Sequence, residues 1–121
     1  MQLKRNDKLF LNNSKTSLRV ALSEIIRCES KGSYTTFYFS AMDQFTVSKT
    51  IKEYDYLLSQ HGFLRTHQSH LVNGFKIQRF DKGESPRLLM SNGDFVPVSQ
   101  RRKEFVFNVM KGKELLLQDE Y

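Results

Sequence analysis

The chain has 121 residues, 39% of them apolar, which suits one domain with one core. Its formal net charge of +6 and pI near 9.6 favour acidic partners: nucleic acid first, an anionic membrane surface second. Cys28 is the single cysteine, so an internal disulfide and a Cys-rich zinc site are excluded and a reduced, cytoplasmic compartment fits. No apolar run approaches a membrane span or a signal segment.

In chain order, residues 1–7 are polar and read as a flexible remnant or linker. Leu9–Leu11 and Ser17–Leu22, separated by Asn12-Asn13-Ser14, predict a hairpin. A β-branched run over Glu24–Glu29 follows, then a turn at Lys31-Gly32-Ser33. Tyr34–Ser40 carries the strongest strand signal, and Phe45–Ser48 is a further strand. Thr50-x-x-Glu53 is a capping-box pattern that opens a first helix, with Ile51, Tyr54, Leu57 and Leu58 as its apolar stripe and Gly62 as its stop.

Phe63–Thr66 reads as a strand, His67-Gln68-Ser69-His70 as a polar connection and Leu71-Val72-Asn73-Gly74 as a turn. Phe75–Phe80 alternates as a strand. Arg87–Met90 and Phe95–Val98 flank an Asn92-Gly93 hairpin turn. A second helix is predicted from about Gln100 to Lys111, with Ser99 as N-cap and Phe105, Val106, Val109 and Met110 as the buried stripe. Residues 112–121 form a tail with an apolar centre at Leu115–Leu117. Strands dominate, with two helices.

Few residues suggest chemistry. His61, His67 and His70 are the only histidines, and no Asp or Glu lies between Asp55 and Asp81. A metal or a catalytic base would need convergent partners that this pattern does not provide, and no phosphate-binding or nucleophile motif occurs. The chain reads as a non-enzyme without metal or cofactor.

Three polar elements point to an anionic partner instead. The first is the loop carrying Lys31, Ser33 and Tyr34. The second is the quartet, in which His67, Gln68 and Ser69 offer hydrogen bonds to phosphates and base edges. The third is Arg101-Arg102-Lys103 at a predicted helix start. Cations there oppose the helix dipole, unless an anion docks on the same end. Each has a bland reading: an ordinary polar turn, a satisfied core histidine at His67 or His70, a solvated charge cluster.

Taken together, these residues resemble a known family. Phe63, Arg65, His67, Ser69, Leu71, Val72 and Asn73 match the Phe-x-Arg-x-His-x-Ser-aromatic-Leu-Val-Asn motif of the LytTR DNA-binding domain of bacterial response regulators. Asn92, Gly93, Val96, Pro97, Val98 and Ser99 match its later motif, and Ile25, Glu29 and Ser30 an earlier one. The chain departs from the pattern at His70, where the family has Tyr or Phe, and at Gln68, often Arg or Lys.

The resemblance implies a mainly β fold over residues 8–111, an elongated β-β-β stack of antiparallel sheets with two short helices. It also implies sequence-specific reading of double-stranded DNA by loops that enter successive major grooves. The expected contacts are Lys31, Ser33, Tyr34, His67, Gln68, Ser69, Ser99, Arg101, Arg102 and Lys103. Expected partners are paired direct repeats in DNA, with a receiver domain or a second copy, and no membrane. The alternative is a single-stranded nucleic acid or RNA binder that stacks bases on Tyr34, Phe37 and Phe39. A protein-interaction module or an enzyme built on the histidines ranks below both.

Overall fold

The computed structural model describes residues 7–112. Residues 1–6 of the expected linker and 113–121 of the expected tail lie outside that range. In chain order the elements are β1 (Lys8–Asn12), β2 (Ser17–Ala21), β3 (Ile25–Lys31), β4 (Tyr34–Phe39), β5 (Phe45–Val47) and α1 (Ile51–Leu58). They continue as β6 (Phe63–His67), β7 (His70–Asn73), β8 (Ile77–Asp81), β9 (Arg87–Met90), β10 (Phe95–Pro97) and α2 (Lys103–Lys111). Asp7, grouped with the linker on sequence, accepts a 2.9 Å hydrogen bond from the Leu22 N–H.

The strands form three antiparallel sheets: β1-β2, a middle sheet in the order β5-β4-β3-β7-β6, and β10-β9-β8. Side chains alternate across a strand, so one strand can feed two cores. In the middle sheet β3, β6 and β7 do this, whereas β4 and β5 feed the first core alone. Ile25, Leu71 and Phe63 join a core with β1, β2 and α1, whereas Ile26, Val72 and Leu64 join a second core with β8–β10 and α2. Each fully buried Leu, Ile or Phe in these layers contributes about 1.5–3 kcal/mol. The result is the mainly β, stacked-sheet architecture with two helices that the resemblance implies.

Several local expectations hold. The Glu53 carboxylate accepts from the Thr50 N–H at 3.2 Å at the start of α1, as a capping box requires. Gly62 adopts φ 92° after α1, a conformation open to glycine. Asn92-Gly93 turns β9 into β10, with Gly93 at φ 91°.

Others are corrected. Leu71-Val72-Asn73 is no turn but β7, buried beside β3 and β6. Asn73 keeps φ at −78° and spends its side chain on the core instead. Its amide donates to the carbonyls of Leu22 at 3.4 Å and Ile25 at 2.9 Å, and its Oδ1 accepts from the Phe75 N–H at 3.0 Å. The expected strand therefore starts only at Ile77, after a 3-10 turn over Gly74–Lys76. On α1, Leu57 is exposed.

The second helix also differs. A 3-10 turn over Gln100–Arg102 precedes α2, and the Ser99 side chain makes no capping bond. Val106 is buried and Met110 packs on the core, but Phe105 and Val109 are exposed. Arg102 lies 4.2 Å over the Phe105 ring, so that ring is covered by a cation rather than by the core.

Candidate nucleic-acid interface

Strand pairing gathers the three polar elements at one end of the middle sheet. Lys31 pairs with Tyr34 across the Gly32-Ser33 turn, which leaves Lys31, Ser33 and Tyr34 exposed at the β3–β4 tip. Gly32 has φ 61°, so this tight turn favours glycine. His67 pairs with His70, which reduces the quartet to a hairpin turn at Gln68-Ser69. The Ser30 N–H donates to the Ser69 carbonyl at 2.9 Å and ties the two hairpins together. The third element is joined by the Ser99 N–H, which donates to the Thr66 carbonyl at 2.9 Å. A register shift between Arg65 and His67 leaves Thr66 as the extra residue of β6, buried, with its hydroxyl donating to the Pro97 carbonyl at 3.1 Å.

Between the turn and the start of α2 lies a groove of about 400 Å³, lined by Asp55, Arg65, His67, Gln68, Ser99, Arg101 and Arg102. Three guanidinium groups face one carboxylate there, so the groove suits an anion. Arg65 organises it. Its Nε donates to the His67 carbonyl at 3.1 Å, its Nη2 to the Gln68 carbonyl at 2.6 Å and its Nη1 to Asp55 Oδ2 at 3.3 Å. Arg102 Nε donates to the Arg65 carbonyl at 2.9 Å, which fixes the 3-10 turn against β6.

His67 Nδ1 accepts from the Ser69 N–H at 3.0 Å. An accepting Nδ1 leaves the ring proton on Nε2, which presents a donor away from the turn. Arg101 is exposed and makes no hydrogen bond or ion pair among the described residues. The Ser99 hydroxyl is buried without a hydrogen-bond partner among the described residues.

Of the expected contact residues, His67, Gln68, Ser99, Arg101 and Arg102 line the groove, and Ser69 completes its turn. Lys31, Ser33 and Tyr34 stand on the neighbouring tip. Lys103 is set apart, in a shallow recess with Lys82, Gln100, Glu104 and Phe107. Of the stacking platforms for single-stranded nucleic acid, Phe37 and Phe39 are core residues and Tyr34 alone is exposed.

The strand register places charged groups behind the turn. Glu29 pairs with His70, and the His70 ring meets the His67 ring edge-on at 5.4 Å. Burial pushes the His70 imidazole down to about 4; the Glu29 charge opposes this, and those of His67 and Arg27 reinforce it. His70 is therefore neutral at neutral pH, in the place of an aromatic ring. Burial alone would raise the Glu29 carboxyl. The hydrogen bond from Arg27 and the charges of Arg27 and Lys31, joined in acid by that of protonated His70, outweigh it and hold Glu29 below its ordinary value. Arg27 also donates to Asp94 at 2.9 Å and lies 3.9 Å over the Tyr38 ring, which links β3 to the β9–β10 turn.

Asp55 and the organising part of Arg65 escaped the sequence reading. The stretch around the quartet lacks acids, yet α1 delivers a carboxylate to it. Only the long-range packing of α1 on β6 brings the two together. Among the described residues no group of three or more His, Cys, Asp or Glu could hold a metal ion, and no helix is long and apolar enough to cross a membrane.

Stacked antiparallel sheets with a basic groove at one end define a β-rich domain suited to an anionic partner. The family model for the LytTr DNA-binding domain matches residues 15–111. The chain belongs to the LytTR family of DNA-binding domains. It is also similar to a solved structure, the LytTr DNA-binding domain of a response regulator from Bacillus cereus. The TM-score is 0.74 at 27% identity, over 88% of this chain and 97% of that one. No curated protein matches the chain.

Proposed function

We propose that this domain is the sequence-specific output module of a bacterial transcriptional regulator of the two-component type, acting in the cytoplasm on double-stranded DNA. The observation that carries this reading is the convergence of two hairpin ends and a basic 3-10 turn at one end of the middle sheet. Loops arranged in this way enter successive major grooves on one face of a duplex. Gln68 and Arg101 read bases, because both end in side chains able to make paired hydrogen bonds to a base edge. Lys31, Arg102 and Lys103 hold phosphates. His67 contributes its Nε2 donor between the two roles, while Ser33, Tyr34 and Ser69 contact the backbone around them and Ser99, with its hydroxyl buried, holds the Arg101-Arg102 turn in place. The target is a pair of direct repeats, occupied by two copies, and a receiver domain supplies the regulation.

Selection from a random duplex library tests this. A repeated motif spaced near one helical turn is the expected result. With about six phosphates neutralised, log K should fall against log salt with a slope near −5. A slope near zero, or preference for single strands over duplex in competition, would overturn the reading.

A further inference from the structure

Arg65 looks at first like one more cation for DNA. Its bonds say otherwise. All three nitrogens of its guanidinium are engaged, on the His67 carbonyl, the Gln68 carbonyl and the Asp55 carboxylate. Its own carbonyl accepts from Arg102. One residue thus holds the backbone on both sides of the proposed base reader Gln68, anchors it to α1 and fixes the residue next to Arg101. The ion pair with Asp55 also offsets the charge that a phosphate would seek.

We infer that Arg65 is a positioning residue for base reading: it sets the shape of the Gln68-Ser69 turn and the placement of the Arg101-Arg102 turn, and it makes no contact with DNA. The inference rests on the DNA-reading role of the groove. It assigns Asp55 a part as well, as the anchor that aims the guanidinium at the turn. A lysine cannot replace Arg65, because an ammonium is a point charge without the planar fork that reaches two carbonyls and a carboxylate together.

The test compares Arg65→Lys, Arg65→Ala and Asp55→Asn with the unmodified chain on the selected duplex and on random duplex. Positioning predicts that both Arg65 variants lose roughly tenfold or more on the selected site and about twofold or less on random DNA, with the salt slope unchanged. Asp55→Asn should shift the same ratio by a smaller factor. A phosphate contact predicts the opposite: equal loss on both duplexes, a slope reduced by about one in Arg65→Ala, and rescue by Arg65→Lys.

Hydrogen exchange of the free protein gives an independent readout. The Ser69 amide should exchange at least several-fold faster in Arg65→Lys while amides of the β1–β2 hairpin stay as they were. Unchanged Ser69 exchange would overturn the inference. If the unmodified chain does not distinguish selected from random DNA, the DNA-reading role itself fails, and Ser69 exchange still reports whether Arg65 holds the turn.

Discussion

The β6–β7 turn and the β3–β4 tip sit side by side, yet they are built on opposite plans. The turn is pinned: Arg65 holds two of its carbonyls, His67 Nδ1 receives the Ser69 N–H, and Ser30 bonds the Ser69 carbonyl. The tip is open: Lys31, Ser33 and Tyr34 are exposed and nothing crowds Gly32. A side chain on a pinned backbone can be aimed at one base edge, whereas one on an open tip can follow a phosphate wherever the duplex places it. Under the proposed function, specificity would belong to the turn and general affinity to the tip.

Acid should separate the two regions most strongly. His70 has a folded value near 4, below its ordinary 6.5, so the unfolded chain binds the proton first as pH falls. The stability that comes from keeping His70 neutral is complete above pH 6.5 and is lost as pH drops towards 4. Over that span the loss should reach roughly 2 kcal/mol, less than the full rate of about 1.4 kcal/mol per unit because the ring is partly open to solvent. Urea unfolding at pH 7.5 and 5 measures most of it. Glu29, with its ordinary value of 4.5 and a lower folded one, adds little above pH 5. His70→Phe should flatten the slope, and an unchanged slope in that variant would assign it to another group.

Gln68→Ala comes next. It should cost roughly 1–3 kcal/mol on the selected duplex, with preference relaxed at one base pair. Equal loss on random DNA would place Gln68 with the tip and erase the contrast. Thr66→Val removes the bond to the Pro97 carbonyl, and about 1 kcal/mol of stability should go with it, read as a lower urea midpoint. Lys31→Ala should have the smallest effect, a uniform weakening on all duplexes with the salt slope smaller by about one. A change in base preference would show that the tip reads sequence too.

Local rules made much of the scaffold legible. Apolar runs around a polar turn marked β1 and β2, aromatic and Thr-rich composition marked β4, the capping box marked α1, and Asn92-Gly93 marked a hairpin. They failed where a distant partner decides. Asn73-Gly74 carries a strong turn signal, but the Asn73 amide is claimed by carbonyls of Leu22 and Ile25, some fifty residues earlier in the chain. The stripe expected on α2 held at Val106 and Met110 but failed at Val109 and at Phe105, where Arg102 lies over the ring. The groove residues could be named because they sit in contiguous motifs. Asp55 could not, since its place beside Arg65 depends on how α1 packs on β6.

Cys28 lies fully buried in the first core, and burial pushes its thiol well above the ordinary range. In this fold, then, the native sulfur is silent towards alkylating reagents at neutral pH. A cysteine introduced at Ser33 on the open tip would be the single reactive thiol of the native state. A cleavage reagent tethered there would cut the duplex beside the tip, and the pattern of cuts would give the orientation of the bound domain along its site.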